Sequence, residues 1–172
     1  NLVHTSIYDH PNYEEHKKLL VNKGFKLVQT NREYSCDIRN VDIYKYQPII
    51  KKLESKGIQF YDSKEEMLDC PNHYKKLEEL EWAYAQDFPI PNGIKHTRAP
   101  FEQYMKHCLH FYENSYGAEI VAVKDEIYIG ATNIYIYPKA EPHKAWTGGL
   151  GVLKAFRRSG IATAIKIKAI EK

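Results

Sequence analysis

Residues 146–172 read Trp146-Thr-Gly-Gly-Leu-Gly-Val-Leu-Lys-Ala-Phe-Arg-Arg-Ser-Gly-Ile-Ala-Thr-Ala-Ile-Lys-Ile-Lys-Ala-Ile-Glu-Lys172. The pattern predicts a strand from Trp146 to Phe156, a tight basic turn at Arg157-Arg158-Ser159-Gly160-Ile161-Ala162, and a helix over 160–172 that begins near Gly160. A helix that starts near Gly160 aims its unpaired amides, and the positive end of its dipole, at whatever lies in front of it. Arg157 and Arg158 beside those amides mark a diphosphate site. The small residues Gly160 and Ala162 let a ligand approach the backbone. An ordinary strand–helix unit with a basic turn accounts for Gly160, but not easily for the arginines and small residues together.

The spacing Arg157-x-x-Gly160-x-Ala162 resembles the Arg/Gln-x-x-Gly-x-Gly/Ala signature of the Gcn5-related N-acetyltransferase (GNAT) superfamily. The segment Val152-Leu-Lys-Ala-Phe-Arg157 resembles that family's Val-x-Pro-x-x-Arg approach, with Lys154 where proline is common. The resemblance implies an α/β (α+β) fold, a mixed and mostly antiparallel sheet flanked by helices. It implies acetyl-CoA as cosubstrate, with Val152 and Leu153 along the pantetheine arm. Arg157, Arg158, Ser159, Gly160, Ile161, Ala162 and Thr163 then fall on the diphosphate. The implied reaction is acetyl transfer to a primary amine that attacks the thioester directly. The alternative is a non-catalytic acyl-CoA-binding or structural module of the same fold.

Composition fits that expectation. The chain has 172 residues, 43% of them hydrophobic, enough for one domain with a real core. A net charge of +3 suits an anionic cofactor. Because lysines alternate with acids, it is no nucleic-acid footprint. No apolar run approaches the roughly 20 residues that span a bilayer. Cys36, Cys70 and Cys108 are odd in number and lack a CxxC pair, which points away from a disulfide framework and toward a cytoplasmic setting.

Upstream, residues 2–8 read as a short strand. Asn12 reads as the cap of a helix from Tyr13 to Lys23, with Leu19 and Leu20 facing a core and Gly24 as its left-handed stop. Phe25 to Arg39 reads as extended chain, a long strand or a hairpin. Ile49, Ile50 and Leu53 mark a short helix ended by Gly57, and Ile58–Tyr61 a strand. Asn72 reads as the cap of a helix through Gln86, and Asp87–Gly93 as a loop. Pro100 opens another helix with Phe101, Tyr104, Met105 and Cys108 at helical spacing. Glu119–Val123 and Ile127–Tyr137 form a hairpin turned at Asp125-Glu126, followed by a loop over Lys139–Lys144. From residue 58 on, this order matches the first two-thirds of a GNAT domain. The segment from Asn12 to Gly24-Phe25 resembles the Asn…Gly-Phe helix that ordinarily follows the signature helix.

Residues 1–45 are therefore expected to be the closing remnant of a first GNAT-like domain, or a permuted completion of the second. Residues 46–57 form a linker helix, and 58–172 the head of a GNAT domain. The chain stops inside a helix, so a fragment of a tandem protein is expected. A head alone leaves a sheet edge open, which favours a homodimer or segment exchange.

The family chemistry needs a strand amide that polarises the thioester, a base for the amine and an acid for the thiolate. By resemblance the amide falls at Val152 or just before it. No Asp or Glu lies between Trp146 and Phe156, so Thr147, Glu141 and His143 are weak candidates for the catalytic work. The last two are more often solvated loop residues than bases. The family's tyrosine acid, four residues before Gly-Phe, falls on Leu20. His107 and His110 lie three apart but lack a third ligand, and no metal is expected. Glu78, Glu79 and Glu81 read as a solvated helix face; the resemblance implies that this region borders the acceptor groove, where they would attract a cationic amine. The acceptor itself, a small-molecule or peptide amine, is not specified.

Overall fold

The computed structural model describes residues 3–7, 10–91 and 94–172. The chain forms two compact units, one made of Asn1–Cys36 with Ile90–Lys95, the other of Asp37–Pro89 with His96–Lys172.

In the first unit, residues 3–7 have no regular structure where a strand was expected, and residues 2 and 8 lie outside the described residues. Pro11–Tyr13 form a 3-10 turn that runs into helix α1, Glu14–Asn22. Asn12 sits inside that turn and is not the cap; its amide donates to His10 Nδ1 at 3.2 Å. The C-terminal stop is as expected. Gly24 is left-handed at φ 86° and Phe25 N–H reaches back to the Leu20 carbonyl at 3.0 Å. Leu19 and Leu20 do not face a core, however: Leu19 is 55% exposed, and α1 buries no residue. The chain from Phe25 to Cys36 forms no strand or hairpin. A strand needs a paired ladder, and this polar stretch has none to join.

In the second unit, 3-10 turns at Ile38–Asn40 and Tyr44–Tyr46 lead to α2, Gln47–Glu54. Gly57, at φ 78°, turns the chain into β1, Ile58–Asp62. A single helical turn, α3 (Ser63–Glu66), follows, and then α4, His73–Ala85. Asn72 occupies the cap position of α4 but in a left-handed conformation, φ 58°, with no side-chain capping bond. Of the loop after α4, residues 92 and 93 lie outside the described residues. Pro100 precedes α5, Phe101–Asn114. Then come β2 (Tyr116–Lys124), β3 (Ile127–Ile136), β4 (Ala145–Val152), a 3-10 turn at Lys154–Phe156 and α6, Ile161–Glu171. The predicted strand to Phe156 thus ends at Val152, because the chain coils into the turn that presents α6. Asp125 and Glu126, both at positive φ, make the predicted β2–β3 turn.

The sheet runs β1-β2-β3-β4, every pair antiparallel. This is the mixed fold with a flanked antiparallel sheet that the resemblance implied. Strand alternation assigns its two faces. Ile120, Ala122 and Val152 pack with Ile161, Ala164 and Ile165 of α6. Val121, Val123 and Ala131 pack with Leu77, Leu80 and Tyr84 of α4. On α6, Ile167 and Ala169 are buried as well, since α2 packs on that helix.

Candidate functional site

Strand β4 is broken at its centre. Thr132 pairs with Leu150 and Ile134 with Thr147, so Gly148 and Gly149 together oppose the single residue Asn133. The extra residue makes a bulge, which bends the strand and interrupts the ladder. Glycine is required there by close approach. A β-carbon on Gly148 would fall 1.9 Å from Asn133 Oδ1. One on Gly151 would fall 2.0 Å from Cγ of Tyr84, whose ring lies against that backbone.

Beyond the bulge, the Leu153 amide donates to the Ile129 carbonyl at 2.9 Å. By antiparallel alternation, the backbone groups of Leu150 and Val152 point away from β3. Among the described residues β4 pairs with no strand on that side. The Val152 carbonyl is taken by Arg157 Nε at 2.8 Å.

The signature turn follows. Arg158 is left-handed at φ 60° and exposed, and Gly160 is at φ 96°. A β-carbon on Gly160 would also meet Ile49 Cγ2 at 2.8 Å. The Ser159 hydroxyl donates to the Phe156 carbonyl at 2.5 Å. The first-turn amides of Ile161, Ala162 and Thr163 have no carbonyl of their own helix to bond. The two arginines differ. Arg157 Nη2 is bound to Asp87 Oδ2 at 2.5 Å, and Lys154 Nζ to Asp87 Oδ1 at 2.8 Å. These two cations hold the Asp87 carboxyl below its usual range, Lys154 first. Lys154, which departs from the family's proline, thus joins Arg157 in tying the end of α4 to the turn. Arg158 is exposed and, among the described residues, makes no ion pair.

On the α4 face lies a group of polar side chains absent from the sequence reading. Glu119 of β2 is buried and accepts the Tyr112 hydroxyl. Ser63 Oγ lies 3.1 Å from Tyr112 Oη and 2.8 Å from His73 Nε2, and His73 Nδ1 lies 2.9 Å from Tyr128 Oη. Ser63 and His73 are 0% and 2% exposed, so this pair is a core polar network and no nucleophile for an external substrate. Burial lowers the His73 pKa and raises that of Glu119.

Glu81 is different. It is half-buried, one helical turn before Tyr84. Burial, reinforced by the negative charge of Glu119, pushes its carboxyl up to about 7. The Tyr104 and Tyr84 hydroxyls act on it in the opposite direction. The Tyr104 oxygen is shielded from solvent and makes no bond of ordinary hydrogen-bond geometry with Glu81 or Cys108, the groups it faces. Tyr84 connects this group to the bulge, since a methyl on Gly149 would lie 3.5 Å from its hydroxyl. The available signal was the placement of Glu81 among Leu77, Leu80 and Tyr84 at core spacing.

The sequence candidates fall elsewhere. Glu141 Oε2 accepts the Trp146 indole N–H at 2.8 Å, and His143 is exposed. Thr147 stands at the bulge, where its hydroxyl accepts from Lys166. His110 lies on α5 with Nδ1 3.2 Å from the Asn114 side-chain nitrogen. Among the described residues, no helix is long and apolar enough to cross a membrane.

A bulged antiparallel strand thus leads through a left-handed glycine into a helix N-terminus. The model of the acetyltransferase (GNAT) family matches residues 76–172, more than half of the chain. The chain belongs to that family, whose members carry out acyl transfer and generally use acetyl-CoA and amine acceptors. Among solved structures, it is similar to a Pyrococcus horikoshii protein described as a "putative acetyltransferase", with 19% identity and a TM-score of 0.46 over 67% of this chain. The match spans about a third (34%) of that protein's length. No curated protein matches the chain.

Proposed function

We propose that this chain binds acetyl-CoA along β4 and at the N-terminus of α6, and transfers the acetyl group to a primary amine. The observation that carries this reading is the continuous run of backbone from the Gly148-Gly149 bulge to Gly160. It offers outward amides at Leu150 and Val152 and, just beyond, the unpaired first turn of α6. The outward amides suit a thioester carbonyl and the pantetheine arm along Val152 and Leu153. The amides of Ser159 to Thr163, with Gly160 for close approach, suit a diphosphate. Arg158 supplies its positive charge, while Arg157 holds the turn in shape against Asp87.

The amine's proton passes to Glu81 by way of the Tyr84 hydroxyl. A carboxyl with a pKa near neutrality is matched to that task. Glu141, bonded to Trp146, and exposed His143 are weaker candidates. Thr147 orders groups at the bulge. The amine attacks the thioester carbon, the C–N bond forms, the C–S bond breaks, and its electron pair leaves on sulfur.

Residues 1–45 are read as the end of a preceding GNAT-like domain or a permuted completion, with 46–57 as linker. A cytoplasmic setting suits the odd cysteine count. The acceptor is a small-molecule or peptide amine.

The test is a calorimetric titration with acetyl-CoA, beside thiol release with a panel of primary amines. Micromolar binding with turnover is expected. Binding without turnover on any amine favours the non-catalytic module, and absence of binding overturns the proposed site.

A further inference from the structure

Lys166 is a cation that, among the described residues, has no counter-charge, and it lies at the bulge of the sheet. It lies on α6, half-buried. Its ammonium donates to Thr132 Oγ1 at 2.6 Å and to Thr147 Oγ1. Thr132 is the cross-strand partner of Leu150, and Thr147 is the last paired residue before the bulge. The two hydroxyls thus hold the ammonium under the broken segment of β4, on the sheet face opposite Glu81 and Tyr84. Both are neutral, and among the described residues Lys166 makes no ion pair. Burial lowers its pKa, with no neighbouring charge to offset the shift. An ammonium has three donors, and the threonines occupy two.

A half-buried charge is costly unless something repays it. Here two neutral hydroxyls offset part of that cost, and among the described residues no counter-charge offsets the rest. The expense is explained if a negative charge arrives during function. Negative charge develops at the sulfur when a thioester is cleaved beside Leu150.

We propose that Lys166 is the acid that protonates the departing thiolate, with Thr132 and Thr147 as its positioning residues. This rests on the acetyl-CoA reading above. As the C–N bond forms and the C–S bond breaks, the electron pair of the latter passes to sulfur. One ammonium proton moves from Nζ to that sulfur, and the neutral Lys166 amine recovers a proton from water. The amine substrate's own proton leaves by the opposite face, toward Tyr84 and Glu81. Acid and base are thereby kept on separate sides of one strand. A lysine whose pKa is lowered by burial is closer to a thiol in acidity than an exposed one is, which favours the transfer.

The test uses free coenzyme A and needs no turnover. The thiol of bound coenzyme A is titrated by the ultraviolet absorbance of its thiolate, in the unsubstituted chain and in Lys166→Met. The expected result is a bound thiol about one pKa unit more acidic than in solution, a tenfold shift in the thiolate ratio. In Lys166→Met that shift is lost, and Lys166→Arg restores most of it. An ordinary thiol pKa in the unsubstituted protein, or an equal shift in Lys166→Met, overturns the role of Lys166 while leaving the cofactor site intact. Failure of coenzyme A to bind the unsubstituted chain overturns both readings. With an amine acceptor, Lys166→Met is expected to lower kcat by about 10²-fold or more, the range for loss of a general acid.

Discussion

Glu81 carries the sharpest expectations at the residue scale. Its carboxyl titrates at about 7 instead of 4.5 because burial and Glu119 disfavour the charge. Between those values the native state keeps a proton that the unfolded chain has released. The contribution of this group to stability is therefore lost progressively as pH rises from about 4.5 to about 7. Glu81→Gln should flatten that slope, as read from denaturation midpoints at about pH 5 and about pH 8. The same substitution should abolish the rise of kcat/KM through neutral pH and lower it about 10²–10⁴-fold. A variant that keeps the pH profile of the unsubstituted protein rules out Glu81 as the proton acceptor. Gly151 has the opposite character, being purely steric. Its backbone touches the Tyr84 ring, so Gly151→Ala should cost about 1–3 kcal/mol from overpacking, measurable by urea denaturation.

At the scale of elements, the joint between β4 and α6 divides labour between its two arginines. Arg157 spends its guanidinium on the Val152 carbonyl and on Asp87, so it shapes the turn. Arg158 is free to meet an anion. Arg158→Ala should weaken acetyl-CoA binding about tenfold and reduce its salt dependence, whereas Asp87→Ala should leave the charge for the ligand intact and loosen the turn. Calorimetry at two salt concentrations separates the two. If Asp87→Ala and Arg158→Ala weaken binding alike, the division of labour is wrong. The two faces of the same strand also hold different chemistry: a carboxyl and tyrosines toward α4, a lysine and threonines toward α6.

At the scale of the whole molecule, β4 is the last strand of the sheet among the described residues, with outward backbone groups and a partly exposed Leu150. Such an edge is a template for pairing. Concentration-dependent self-association is expected in light scattering, and Leu150→Lys should suppress it by placing a charge at the edge. Unchanged association in that variant would locate the contact elsewhere.

Local rules sufficed for much of this chain. The signature Arg157-x-x-Gly160-x-Ala162 and the strand–helix order from residue 58 announced the family, because turn glycines, helical periodicity and backbone-directed anion binding are encoded over a few neighbouring residues. The stop at Gly24 and the turn at Asp125-Glu126 were legible for the same reason. Helix α1 was legible as a helix but not as an exposed one, since burial depends on what packs against a face. The stretch after Phe25 read as extended, yet a strand exists only when a partner supplies its ladder. Glu81 looked like part of a solvated face, and nothing local singled out Lys166. Only the tertiary structure brought Glu119 and two tyrosines around one, and two threonines from different strands around the other. Charge and proton affinity depend on neighbours tens of residues away in the chain, and no local pattern records those neighbours.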